Sequence, residues 1–210
     1  SEMCIRDISD IERERVIPVI EELAKRVEVP ISVDTYKAGI AEAAIKAGAT
    51  IVNDISGLRY EPNLVDVVAR YEAAIVLMHF RGQSKDMYQQ ASYHDLVGEV
   101  LDELRESIAF ALSRGIKRSQ IIVDPGIGFG KRPVHNRKLI EGIGVLKDLG
   151  QPVLVGISRK SFLPTKRTGT DRDLLSAQYA VQAVANGASL VRVHNVGMTA
   201  KMLSEARNGV

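Results

Sequence analysis

The sequence is short of the features that mark several large classes of protein. It has one cysteine, Cys4, among 210 residues, which excludes an internal disulfide framework and suits a reducing compartment. No apolar run approaches the roughly 20 residues that cross a bilayer as a helix. The opening Ser1 to Asp7 lacks the apolar core of a secretory signal. Charge of one sign is not in excess either. Lys and Arg number 28 against 26 Asp and Glu, and the formal net charge of +2 is too small to argue for nucleic acid or an anionic membrane as partner. These absences predict a cytoplasmic protein in which any anion site is local. Two motifs are missing as well. No early strand is followed by G-x-G-x-x-G with an acid about 20 residues on, which removes the dinucleotide fingerprint of the doubly wound fold. No H-x-H pair offers a ready metal site.

What is present reads as a regular alternation. Hydrophobic residues make up 45% and charged residues 26%, a soluble globular balance, and the length fits one domain spanning 1–210. From Ile8 to Val27 apolar residues recur at helical spacing, so the chain opens on a helix. Pro30–Asp34 then reads as a strand and Lys37–Ala47 as an alanine-rich helix. The pattern repeats through strand Thr50–Ile55, helix Asn63–Tyr71, strand Ala74–His79, helix Leu96–Ser113, a strand over Ile121–Asp124 and helix Asn136–Leu149. It closes with strand Val153–Ser158, helix Arg172–Ala185, strand Leu190–His194 and helix Thr199–Arg207. Gly48, Gly115, Gly150 and Gly187 stand where helices should stop before the next strand. Six β-branched strands alternating with helices mean parallel β/α architecture.

The strand ends favour the eight-stranded β/α barrel over the open sheet. Each finishes in a reactive or hydrogen-bonding group: Asp34, Asn53 with Asp54, His79, Asp124, Ser158 to Lys160, and Arg192 with His194. In a barrel these C-terminal ends converge on one face. The period of 2 puts Ser32 with Asp34, Ser158 with Lys160, and Arg192 with His194 on shared strand faces. The densest stretch is Asp124-Pro125-Gly126-Ile127-Gly128-Phe129-Gly130-Lys131, a carboxylate delivered into a loop whose glycines let the backbone approach something closely. Barrels of this type have eight strands and about 250 residues. The expectation is therefore an incomplete (β/α)8 barrel holding strands 3 to 8, truncated by two N-terminal units, with its first and last strands left as edges.

Six motifs in order carry a resemblance: Ile31-Ser32-Val33-Asp34-Thr35-Tyr36-Lys37, Asn53-Asp54-Ile55-Ser56-Gly57-Leu58, Leu77-Met78-His79, Asp124 to Lys131, Ser158-Arg159-Lys160-Ser161-Phe162, and Arg192-Val193-His194. From about Ile8 to its C-terminus the chain resembles the dihydropteroate synthases. Single pieces are shared with the wider pterin-binding group, including methyltetrahydrofolate:corrinoid methyltransferases. The resemblance implies a transferase of folate synthesis that joins 6-hydroxymethyl-dihydropterin diphosphate to 4-aminobenzoate and expels diphosphate. It also implies a homodimer and a sulfonamide target.

The resemblance assigns roles that suit the residue types. A pterin edge presents N–H donors beside a carbonyl, so Asp124 would accept, Lys160 would donate, and Asn53 with Asp34 would satisfy the remaining edge. Met78 and Phe129 would contact the flat rings, and Phe129, Ser158 and Ser161 would form the aminobenzoate pocket. Arg192 and His194 would hold the leaving diphosphate beside the N-terminus of the last helix, Arg192 would also stack its planar guanidinium on the pterin ring, and Lys160, Arg192 and His194 would be the catalytic set. Magnesium is the implied cofactor, with its ligand in an N-terminal loop outside this chain. Two departures from the family pattern bear on loops: Leu163-Pro164-Thr165 after Phe162, and Asn195 where Asp is usual.

Two other readings compete. One is a pterin-binding fragment or methyltransferase-type domain without synthase turnover. The other is a metal-dependent barrel hydrolase using Asp34, His79, Asp124 and His194 as ligands. His94 and His135 read as surface residues, Tyr36, Tyr88 and Tyr93 as structural or surface residues, and Lys166-Arg167 with Arg172 as a solvated loop.

Overall fold

The computed structural model describes residues 9–82, 92–164 and 169–208. Cys4 and the rest of the opening stretch, Tyr88, Thr165 and Lys166-Arg167 lie outside the described residues.

Among the described residues the chain forms an α/β fold with parallel sheets. In order come α1 (Ser9–Ala24), β1 (Ser32–Asp34), α2 (Ala38–Lys46), β2 (Ile51–Asp54), α3 (Leu64–Arg70), β3 (Ala74–Met78), α4 (Leu96–Ser113), β4 (Ile121–Asp124), α5 (Pro133–Glu141), β5 (Leu154–Gly156), α6 (Thr170–Ala185), β6 (Leu190–Arg192) and α7 (Val196–Asn208). The six strands fall into a four-stranded sheet ordered β1-β2-β3-β4 and a two-stranded sheet of β5 and β6. The expectation of six parallel strands in one incomplete barrel is thus met at the level of strand number and α/β class, while the strands divide four and two.

Two compact units make up the chain. The first runs up to Phe80 and adds Glu103–Val123; the second takes Arg81–Asp102 and everything from Asp124 onward. In the first, Val52, Ile75, Leu77 and Leu64 are fully buried between strands and helices, as β-branched and leucine-rich elements of a parallel sheet should be. Register there has a direct consequence. Asp34 of β1 lies opposite Asn53 of β2, which brings the two predicted polar side chains together. Behind β1, the buried Glu12 of α1 accepts from the Thr35 hydroxyl at 2.8 Å and pairs with Lys37 at 2.6 Å, so the turn after Asp34 is pinned to the opening helix. In the second unit Val153, Val155, Ile143, Leu146, Ala177 and Ala183 form the core.

The four glycines expected to end helices all take positive φ, from 66° at Gly150 to 115° at Gly48, where a Cβ would be strained. Other expectations need correction. Asn136–Leu149 is not one α-helix. α5 starts earlier, with Pro133 in its first turn, and ends at Glu141, after which Gly142–Leu149 tightens into a 3₁₀ segment. Gly142 and Gly144 lower helix propensity there, and a Cβ on Gly142 would sit 2.9 Å from Val97 Cγ2, so close packing selects glycine over helix continuity. The last two strands are also shorter than expected. β5 ends at Gly156 because the chain turns at once, with Lys160 N–H donating to the Ile157 carbonyl at 3.2 Å. β6 ends at Arg192. Ser158 with Lys160, and Arg192 with His194, therefore do not ride common strand faces.

Candidate active site

The second unit gathers most of the chemistry. Buried Ile121 and Val123 anchor β4 and deliver Asp124 at its end, where the carboxylate is only 7% exposed. Its Oδ1 accepts from Gly126 N–H at 2.7 Å, closing a turn of the kind Asp side chains favour. Burial pushes this carboxyl above the usual carboxylate range. The Gly126 bond and the positive charges of Lys160, Arg192 and Lys131 oppose that rise.

The following loop is held from below and left open where side chains must pass. Ile127 is buried, and Gly128 N–H donates at 2.7 Å to Asn136 Oδ1, a side chain 1% exposed on α5. Lys131, equally buried, donates from Nζ to the Phe129 carbonyl at 3.0 Å, and the Tyr93 hydroxyl donates to the Gly130 carbonyl at 3.2 Å. Gly128 has φ of +82°, and a Cβ there would lie 3.0 Å from Lys160 Cδ. Lys160 needs that space, because its ammonium sits 3.7 Å from the centroid of the Phe129 ring, well within cation–π range.

The loop after β5 is fixed by its own charge pair. Arg159 adopts φ of +58°, and its guanidinium makes two bonds to Asp173, from Nε at 2.7 Å and from Nη2 at 3.0 Å. Its N–H reaches Ser176 Oγ at 3.0 Å. Arg159 holds the Asp173 carboxyl below the usual range, with Asn195 and His194 acting in the same direction. Ser158 spends its hydroxyl on His194: it accepts from His194 N–H at 3.1 Å and lies 2.8 Å from Nδ1. Parallel pairing sets Arg192 opposite Gly156, so the loops after β5 and β6 leave their strands side by side. Ser161, Arg192 and His194 are exposed, whereas Lys160 and Phe129 are half-buried. Asn195 caps α7, its Oδ1 accepting from Met198 N–H at 3.1 Å, a task for which Asn and Asp serve equally.

In the first unit Asn53 donates from Nδ2 to Asp34 Oδ1 at 2.6 Å. Met78 ends β3 and is buried. Asp54, expected among the reactive strand ends, turns to structural work. Asp54 is fully buried and accepts from Ser56 N–H, Ser56 Oγ and Leu58 N–H at 2.6–2.8 Å. Burial raises its pKa, with those bonds opposing. His79 is buried with Nε2 3.3 Å from Glu103, which also pairs with Arg59. Among the described residues no three His, Cys, Asp or Glu side chains are gathered as metal ligands. His94 is exposed as expected, and His135 packs edge-on to Tyr93 while accepting from Arg132 N–H at 3.3 Å.

Sequence reasoning missed Asn136, Asp173 and Ser176, and it gave Lys131 no partner. A carboxylate in a helix's first turn is ordinary dipole compensation, so nothing set Asp173 apart.

Three comparisons bear on this geometry. The family model described as "Pterin binding enzyme" matches residues 6–194. The dihydropteroate synthase of Synechocystis is 41% identical over 198 residues, covering 93% of this chain and 68% of that protein. With the Bacillus subtilis synthase, covered to 66%, it shows that the chain spans about two thirds of such relatives. Among solved structures, the Xanthomonas albilineans dihydropteroate synthase with 4-aminobenzoic acid superposes with a TM-score of 0.89 at 37% identity, covering 97% of this chain and 74% of that one. The Thermus thermophilus enzyme in complex with 6HMPPP gives 0.89 at 37%, covering 95% and 80%.

Proposed function

The chain belongs to the pterin-binding enzyme family, and we propose that it acts as a dihydropteroate synthase whose second unit supplies the pterin acceptor, the pterin donor and the diphosphate clamp of that reaction. The fold that carries them is read as six of the eight β/α units of a barrel, in a cytoplasmic homodimer.

The observation that carries this reading is Asp124. Burial makes this carboxylate costly to ionise although three cations in electrostatic reach offset part of that cost, and a carboxylate does not suit a phosphate. It suits a flat ligand whose N–H edge restores the hydrogen bonds lost to burial, as the pterin edge does. Lys160 then leaves the Phe129 face to donate to the pterin carbonyl, and the uncovered ring contacts the aminobenzoate beside Ser161. Ser158 acts through His194, whose ring it orients. Asp34 and Asn53, with Met78, are assigned to the rest of the pterin by the resemblance.

Bond breaking at the pterin methylene carbon releases diphosphate and leaves a cation delocalised into the ring, which the arylamine attacks. The residues present need to stabilise a departing anion, and Arg192 and His194 do so as donors aimed at its oxygens. No strong general base is required, because the arylamine is already nucleophilic toward a carbocation. Magnesium, implied by the resemblance, would be held largely by the diphosphate's own oxygens and water, and among the described residues no three His, Cys, Asp or Glu side chains gather to add to them.

The test is ligand binding followed by turnover. Asp124→Ala abolishes binding of both free 6-hydroxymethyl-dihydropterin and its diphosphate. Arg192→Ala weakens the diphosphate selectively. Equal loss of both ligands in Arg192→Ala contradicts the clamp role, and retained pterin binding in Asp124→Ala overturns the reading as a whole. Conversion of labelled 4-aminobenzoate to dihydropteroate then separates the synthase from a pterin-binding fragment.

A further inference from the structure

Asp173 bonds the sequence neighbours of two groups placed in the site. Its carboxylate accepts from two nitrogens, Nε and Nη2, of Arg159, the residue between Ser158 and Lys160, and it accepts at 3.3 Å from Asn195 Nδ2, the residue after His194. We propose that Asp173 is a positioning residue that clamps the loop after β5 to the loop after β6, so that Lys160 with Ser161 and Arg192 with His194 are presented to one ligand at fixed separation.

Several observations support the clamp. Arg159 holds a left-handed backbone conformation that a side chain with a Cβ adopts only when its surroundings require it. Those surroundings are Asp173 on its guanidinium, Ser176 Oγ on its N–H and Arg172 on its carbonyl at 3.3 Å, all from the first turns of α6. The anchor is rigid because Asp173 is 7% exposed and Ser176 2%. Across the other loop, Asn195 divides its amide: Oδ1 caps α7 and Nδ2 reaches Asp173. An aspartate at 195 would oppose a second carboxylate to Asp173 at that distance, so the neutral Asn195 and the charged Asp173 form a matched pair. The Ser158–His194 contacts join the same two loops at a second point.

The clamp rests on the functional reading above only for what the loops hold, and its test has one arm without ligand. Amide hydrogen exchange is compared over residues 157–164 and 193–198 in the unsubstituted chain, Asp173→Asn, Asn195→Asp and the exchanged pair Asp173→Asn/Asn195→Asp. Ala183→Gly, at a fully buried position of α6, controls for general destabilisation. Losing a charged hydrogen-bond acceptor should raise exchange in both segments about tenfold in Asp173→Asn, with affinity for the pterin diphosphate falling by about the same factor. Asn195→Asp alone loosens both segments, and the exchanged pair recovers to within about threefold of the unsubstituted chain over 193–198 only, since one carboxylate again faces one amide there while Arg159 has lost its two-oxygen acceptor. Loosening confined to the Arg159 segment in Asp173→Asn, an exchanged pair no better than Asn195→Asp over 193–198, or equal loosening of both segments in Ala183→Gly would overturn the clamp. If the exchange results hold while the unsubstituted chain fails to bind pterin diphosphate, the clamp stands and the site assignment falls.

Discussion

Asp124 shows what a binding carboxylate costs its own protein. A carboxyl whose pKa in the folded chain is raised above its unfolded value favours folding while protonated, and that contribution disappears as pH rises through the raised value. Above it, the folded chain carries a poorly solvated anion. Asp124→Asn keeps an oxygen for Gly126 N–H and removes the anion, so the variant should gain melting temperature relative to the unsubstituted chain as pH increases from about 4, the ordinary carboxylate value, through the raised one. Pterin affinity has the opposite dependence on the same proton, because the ligand's donors need the ionised form: it should strengthen over that window in the unsubstituted chain and be lost in Asp124→Asn. Calorimetric melts and fluorescence titrations across pH check both slopes. A stability difference that stays flat with pH shows that desolvation is not what shifts Asp124.

At the scale of elements, the loop after β4 works through the room its glycines leave. Gly128→Ala places a Cβ where φ is +82° and 3.0 Å from Lys160 Cδ. The conformation alone costs about 1–2 kcal/mol, and the contact displaces the lysine from the Phe129 ring. The expected outcome is a modest loss of stability with a larger loss of pterin affinity, read by denaturant titration beside ligand binding; equal losses in both would mean Lys160 moved without consequence. The strands and helices around this loop were legible from periodicity, because β-branched runs and glycine stops are local signals. The site was legible in part. Asp124 was legible from its place at the end of an apolar run, whereas Asp34 beside Asn53 came only with the strand register. What escaped depended on the turn chemistry after β5 and β6. That turn moved Ser158 and His194 off their strands and into contact with each other, and it made Asp173, 14 residues beyond Arg159, that residue's partner. A residue so placed has no period to betray it. The 3₁₀ segment over Gly142–Leu149 was hidden for a related reason: its apolar spacing fits a helix, and only the approach of Val97 decides against one.

For the whole molecule, net charge near neutrality leaves recognition to local groups, so ligand binding should register as stability. A ligand at 100 times its dissociation constant adds about 2.7 kcal/mol, which for a chain of this size raises the melting temperature by about 5–10 °C. Thermal melts with the pterin diphosphate should show that rise, and in Arg192→Ala the rise should fall to that given by free pterin. No rise in the unsubstituted chain means the site does not form in it. The sheet of the first unit carries a further consequence. β1 has one strand neighbour among the described residues, and its outward residues Ser32 and Asp34 are exposed on either side of the buried Val33. Beside the apolar Ile31 and Val33, a short polar edge with one carboxylate is the kind of gatekeeper that keeps strands from stacking into fibrils. Asp34→Val should turn light scattering on at lower protein concentration, whereas Asp34→Ser should leave it unchanged. A substitution here that looked in cells like a lost activity would then have begun as a lost protein.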